Sequence, residues 1–167
     1  MTFSLIPWAI TDKLTSLRPQ WLKLQGISLL MLDFDNTIVP YTTNVPTEEM
    51  VAWLREMGDT EIKLCVVSNS RNDRVKDFCR EYGLDCITRA GKPGTRGIRE
   101  CLRKYGVPAE KAALVGDQIY TDTLGGNLSG VRTILVRSIH NHNLLLKARH
   151  VAELPFIYLG RKRRIRL

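Results

Sequence analysis

Short apolar runs alternate with amphipathic stretches along the chain. The runs are Ile27–Leu32, Ile62–Val67, Leu84–Ile87, Ala112–Val115 and Thr133–Val136. Their length and density suit strands buried on both faces. Between them, amphipathic segments span Thr47–Met57, Asn72–Tyr82, Thr95–Tyr105 and Thr121–Leu128. This alternation predicts βαβ units and an α/β fold around a mostly parallel sheet. Pro46 followed by Thr47, Glu48 and Glu49 marks a helix start with acidic residues at its positive end. Gly58, Gly83 and Gly106 are placed to end three of the helices.

The pattern divides the chain into an N-terminal apolar extension (1–25), one α/β domain (26–160) and a basic tail (161–167). In the extension, Ile10, Leu14, Leu17, Trp21 and Leu24 recur at steps of four and three, interrupted by Pro19, which fits the first residue of a second short helix. Two readings of this stripe stand: packing against the sheet, or contact with a membrane interface.

At 167 residues, with 44% apolar and 25% charged positions, the composition is that of one ordinary folded domain. No window of 18 uninterrupted apolar residues exists, so a transmembrane helix is not expected. Met1 to Ile10 is apolar but has no basic region before it and meets Asp12 early, which makes a poor secretory signal. Cys65, Cys79, Cys86 and Cys101 lack CxxC spacing and paired histidines, which argues against a zinc site and for reduced thiols in a cytoplasmic protein. His140 and His142 look like a ligand pair, but no acidic or cysteine partner is close in sequence; they read as a polar loop, and His150 has no argued role. The net charge of +8 is concentrated partly in Arg161, Lys162, Arg163, Arg164 and Arg166. A solvated tail and an anionic surface both account for that cluster.

The most informative stretch is Leu29-Leu30-Met31-Leu32-Asp33-Phe34-Asp35-Asn36-Thr37, where an apolar strand ends in two carboxylates two residues apart. Ligands of parallel sheets bind beyond the carboxyl ends of the strands, and paired acids there suit a hard cation such as Mg²⁺. By itself a DxD is weak, because Asp and Asn are common wherever a strand turns into a loop. Three further polar clusters accompany it. Val67 leads into Ser68-Asn69-Ser70, Lys92-Pro93 follows a polar loop, and the fourth apolar run ends in Gly116-Asp117-Gln118 with Asp122 beyond. Ser68 could be a strand cap and Asp122 a helix cap.

Taken in order, these four segments resemble the motifs of the haloacid dehalogenase-like (HAD) phosphatases: an hhhDxDxT strand end, a Ser/Thr strand end, a Lys, and a GDxxxxD loop. The resemblance implies a Rossmann-like three-layer fold. It also implies that Asp33 is the nucleophile that forms an aspartyl-phosphate, and that Asp35 is the general acid and base. Ser68, with Asn69 beside it, would bind the phosphoryl oxygens, and Lys92 would offset their charge. Asp33, Asp117 and the Asp35 backbone carbonyl would hold Mg²⁺, with Asp122 supporting the site either as a direct ligand or through the residues that hold the ion. Thr37 would fix the loop.

The intervals from Asp33 to Ser68 and from Ser68 to Lys92 each hold one helix and one strand, which predicts a capless, open site. Family members of that kind often act on large substrates, and a few close the site by oligomerising. A narrower resemblance, through Leu5-Ile6-Pro7, Gly26 and Leu32-Asp33-Phe34-Asp35-Asn36-Thr37-Ile38-Val39-Pro40, is to the subclass IIIA (YqeG-like) group, which includes phosphatidylglycerophosphate phosphatases. It implies a lipid phosphate substrate met at the inner face of an anionic membrane. A soluble sugar or nucleotide phosphate, or a phosphoprotein or nucleic-acid end, is the alternative substrate; stable nucleic-acid partnership is not expected.

Overall fold

The computed structural model describes residues 3–71, 73–139 and 155–159. Each apolar run forms a strand: β2 (Leu29–Leu32), β3 (Lys63–Val67), β4 (Asp85–Ile87), β5 (Ala112–Gly116) and β6 (Arg132–Val136). A further strand, β1 (Ala9–Thr11), comes from the N-terminal segment and pairs with β6, aligning Ala9 with Ile134 and Thr11 with Val136. The six strands run parallel in the order β1-β6-β5-β2-β3-β4.

Helices α1 (Pro19–Leu24), α2 (Glu48–Gly58), α3 (Arg74–Glu81), α4 (Arg96–Tyr105) and α5 (Leu124–Ser129) fill the intervals. Pro19 opens α1, as its fixed φ and missing N–H favour. Ile27 lies outside β2: its N–H closes the end of α1 on the Leu22 carbonyl. Thr47 caps α2 by accepting the Met50 N–H at 3.2 Å. Gly83 and Gly106 follow α3 and α4 with positive φ. Gly58 differs from expectation: it is the last residue of α2, and the exposed carbonyls there are met instead by Thr60, whose hydroxyl donates to Met57 O at 2.7 Å.

Successive side chains of a strand point to opposite faces, and the core divides accordingly. Leu30 and Leu32 pack with Met50, Trp53 and Phe78 of α2 and α3, while Leu29 and Met31 pack with Ile98 and Cys101 of α4. From β2 the chain steps outward to β3 and β4 through α2 and α3. It then returns through α4 to β5 on the other side of β2. The order reverses between β2 and β5, so the crevice of this doubly wound sheet opens beyond their carboxyl ends. Among the described residues, only the loop after β2, α2, β3, α3 and β4 stand between Asp33 and Lys92. No cap domain stands in that interval among the described residues.

The N-terminal stripe packs largely inward. Leu14 and Leu17 are buried in the core of α2 and α3, and Trp8 and Trp21 lie with ring centroids 5.6 Å apart against it. Leu24 alone of the stripe stands fully exposed, at 84%. The buried Trp53 indole N–H donates to the Leu17 carbonyl at 2.8 Å, tying this segment to α2. The basic tail, His140, His142 and His150 lie outside the described residues. No helix of the described residues is long and apolar enough to cross a membrane.

Trp53→Phe keeps an aromatic ring but strands the Leu17 carbonyl. It is expected to destabilise the fold by about 1–3 kcal/mol, the usual consequence of an unsatisfied buried acceptor. Urea unfolding against wild type measures it.

Candidate active site

Asp33 follows β2 directly, and its N–H donates to the Val115 carbonyl at 2.8 Å, so it is the last residue that the β2–β5 ladder holds. The chain then turns at Asn36, whose φ is 60°, a conformation that Asn tolerates better than most residues. Asn36 donates to Val39 O at 2.7 Å, and its Oδ1 accepts the Tyr41 N–H at 3.0 Å. Its own carbonyl accepts the Ile139 N–H at 3.0 Å. Asn36 thus fixes the loop that carries Asp35. Thr37 is buried, but its hydroxyl has no hydrogen-bond partner among the described residues.

Lys92 occupies the centre. Its ammonium is buried and lies 2.6 Å from both Asp33 Oδ1 and Asp122 Oδ1. Asn69 grips the Lys92 backbone at two points: Nδ2 donates to Lys92 O at 2.8 Å, and Oδ1 accepts the Lys92 N–H at 2.7 Å. The strand end after β3 therefore positions the lysine across the crevice. Ser68 is buried at the same strand end; its Oγ accepts the Ser70 N–H at 3.0 Å, leaving the hydroxyl proton available for donation.

Asp117 follows β5, and Asp122 returns to it over a wide turn, Ile119–Thr123. Asp122 is not a cap of α5. Its Oδ2 accepts the Gln118 N–H at 3.2 Å while Oδ1 meets Lys92. A side chain at Gly116 would put its Cβ 2.3 Å from Asp122 Cγ, so only glycine lets the carboxylate lie against the end of β5.

One carboxylate oxygen each from Asp33, Asp117 and Asp122 come within 4.8 Å of one another. One ammonium faces three carboxylates, and Asp117 Oδ1, shut from solvent, has no hydrogen-bond partner among the described residues. A divalent cation fits this set by charge, by hard oxygen donors and by the orphaned oxygen. Burial, reinforced by the neighbouring carboxylates, pushes the Asp117 carboxyl up to about 8, although a hydrogen bond from Ser138 opposes it. Burial likewise raises Asp33 to about 7, against the pull of Lys92. Burial alone would lower the Lys92 ammonium, but Asp122 and Asp33 hold it well above its ordinary value.

Asp35 stands at the edge of this cluster. Its carboxyl is raised by burial and lowered in part by Arg74 and Lys92. Arg74, whose Nη2 lies 3.1 Å from Asp35 Oδ1, escaped the sequence reading. One signal was present: Arg74 opens α3, where the helix dipole disfavours a cation.

The structure thus brings Asp33, Asp35, Ser68, Asn69, Lys92, Asp117 and Asp122 to one crevice. The HAD-hydrolase-like family model matches residues 89–153. The chain is 33% identical over 131 residues to the "Probable phosphatase YqeG" of Bacillus subtilis, covering 78% of this chain and 76% of that one. It is 23% identical over 126 residues to the glyceraldehyde 3-phosphate phosphatase of Pyrococcus abyssi, covering 70% of this chain and 50% of that one. Among solved structures, the cobalt-bound deoxy-D-mannose-octulosonate 8-phosphate phosphatase YrbI of Haemophilus influenzae shares the fold, with a TM-score of 0.55 at 13% identity over 83% of this chain and 93% of that one. The order of the motifs, the parallel sheet and the likeness to the Bacillus protein agree: this chain belongs to the haloacid dehalogenase-like hydrolases, among their YqeG-like phosphatases.

Proposed function

We propose that the protein is a Mg²⁺-dependent phosphatase that cleaves a phosphate monoester through an aspartyl-phosphate on Asp33. The observation that carries this reading is the Lys92 ammonium 2.6 Å from Asp33 and from Asp122, beside the unpartnered Asp117 oxygen. An Asp33 oxygen attacks phosphorus, and the bond from phosphorus to the leaving oxygen breaks. Asp35 gives its proton to that oxygen, then takes one from the water that attacks the phosphoaspartate, releasing phosphate and restoring Asp33. Ser68 donates to a phosphoryl oxygen, Lys92 offsets the charge that builds there, and Asn69 keeps Lys92 in place. Asp33, Asp117, Asp122 and the Asp35 carbonyl would hold Mg²⁺, which when bound supplies further neutralisation of the phosphoryl charge.

For the substrate we favour a lipid phosphate, phosphatidylglycerophosphate, hydrolysed to phosphatidylglycerol by a cytoplasmic protein working at the inner membrane face. The likeness to the YqeG-like group and the lack of a cap support this. So do the exposed Tyr41, Val45 and Ile139, two of which are tied to Asn36 next to Asp35. With Leu14 and Leu17 inside the core, membrane attraction falls chiefly to the basic tail. A soluble sugar phosphate is the second reading, favoured by the substrate named for the Pyrococcus relative.

Asp33→Asn is expected to lower turnover by about 10³-fold or more with the fold intact, since a neutral amide cannot attack phosphorus; steady-state kinetics with circular dichroism tests it. Activity is expected to vanish in EDTA and return with Mg²⁺, and Asp117→Ala to raise the Mg²⁺ concentration required.

The raised carboxyls make a stability prediction. Asp33 and Asp117 stay protonated in the folded protein to about pH 7 and 8 but ionise near 3.8 when unfolded. The unfolded state therefore binds fewer protons, and stability of the metal-free protein falls as pH rises from about 4 to 8. Thermal scans should show that fall, with Mg²⁺ raising the midpoint more at pH 8 than at pH 5.

Purified protein with Mg²⁺ is expected to release phosphate from phosphatidylglycerophosphate in anionic vesicles faster than from a soluble phosphate panel. Removing residues 161–167 should slow the vesicle reaction and spare para-nitrophenyl phosphate. Preference for a soluble ester would replace the lipid reading.

A further inference from the structure

Arg74 begins α3 but reaches back to the loop that carries Asp35. Its Nη1 donates to the Tyr41 carbonyl at 2.8 Å and its Nη2 to the Thr43 carbonyl at 3.2 Å. The guanidinium carbon lies 5.1 Å from the Phe34 ring centroid and 5.6 Å from that of Tyr41. Its side chain is only 15% exposed. A planar cation held by two carbonyls and two aromatic faces has little freedom, and a flexible lysine could not reproduce that fork. From this fixed position Nη2 stands 3.1 Å from Asp35 Oδ1.

The contact is an ion pair without an aligned hydrogen bond, for Asp35 Oδ1 has no hydrogen-bond partner among the described residues. Charge therefore orients the Asp35 carboxyl while its lone pairs remain available. Phe34, between the two acids in sequence, packs edge-on against Phe78 of α3 with centroids 5.2 Å apart, so α3 braces the same loop a second time.

We propose that Arg74 is the positioning residue for Asp35: it holds that carboxyl, and the turn at Pro40–Thr43 beside it, in the orientation from which the leaving oxygen is protonated. The proposal rests on the reading of Asp35 as the general acid. As the bond between phosphorus and the leaving oxygen breaks, the Asp35 proton passes to that oxygen, which departs as an alcohol. The carboxylate left behind forms beside the guanidinium, whose charge stabilises it until it accepts a proton from water.

The test compares two substrates through kcat/KM, which covers the steps up to departure of the leaving group. Para-nitrophenyl phosphate releases a stable phenolate that needs no proton, whereas an alkyl phosphate monoester turned over by the wild type needs one. Full general-acid catalysis is worth about 10²–10⁴-fold, so misplacing the acid in Arg74→Met should lower kcat/KM for the alkyl ester by about 10–100-fold. The aryl ester should lose less than about threefold, because the step that Asp35 assists is dispensable for it. Arg74→Lys, which keeps the charge and takes the place of Arg74→Met if that variant fails to fold, should show the same preference at reduced size. Equal losses on both esters, or no loss on the alkyl ester, would overturn the proposal.

Asp35→Asn separates this proposal from the reading beneath it. If Asp35→Asn shows no greater loss on the alkyl ester, the acid assignment itself falls. If it does and the Arg74 variants do not, only the positioning role falls. The double variant should be no more selective than Asp35→Asn alone, since Arg74 acts through Asp35; additive losses would count against it.

Discussion

A single buried ammonium organises the site. Lys92 has lost its water and draws Asp33 and Asp122 to 2.6 Å, so removing the lysine would leave uncompensated negative charge in a dry crevice. The elements around it supply what that arrangement needs. The Asn69 amide fixes the lysine backbone, Gly116 leaves room for Asp122, and the β2–β5 ladder carries Asp33 to its last hydrogen bond. Even so, Lys92 balances only part of the negative charge, and the orphaned Asp117 oxygen marks where the deficit lies.

The parallel sheet explains why these residues can meet at all. Asp33, Ser68 and Asp117 follow β2, β3 and β5, adjacent strands that all end at the same edge. Residues far apart in sequence thus share one edge. Because reversal of strand order opens the crevice between β2 and β5, the two acids that follow those strands face each other there. No cap covers them among the described residues, so exclusion of water falls to the substrate or the surface it sits in.

Much of this was legible in the sequence because each relevant residue interrupts a pattern. Asp33 and Asp117 end apolar runs, and the five runs became strands within one or two residues of their limits. What escaped was decided by partners distant in sequence. β1 is three residues long and has no periodicity to read; pairing with β6 makes it a strand. The stripe at Leu14 and Leu17 has the same spacing whether it meets a bilayer or a sheet, and the fold settled it inward. Asn69 was visible beside Ser68, but its grip on the Lys92 backbone depends on how two loops meet. The turn at Ile119–Thr123 is too wide for the helix expected from Thr121, and it is what returns Asp122 to the crevice.

The pairing of β1 with β6 carries a consequence for how the chain reaches this state. Trp8 N–H donates to Thr133 Oγ1, a contact across 125 positions, so β1, which precedes the other strands of this sheet in the chain, finds its neighbour only when β6 has emerged. Until then both edges stay unpaired, and such edges invite pairing with other chains. Contacts this distant also slow folding, because the intervening chain must be ordered before they form. The Arg132 guanidinium stacks over Trp8, 4.8 Å from the ring centroid, and Arg132 donates to the Gln25 carbonyl, so the same late strand clasps the early segment by its side chain as well. The first and last strands of the sheet thus meet side by side, so this edge is the last to close as the chain is made.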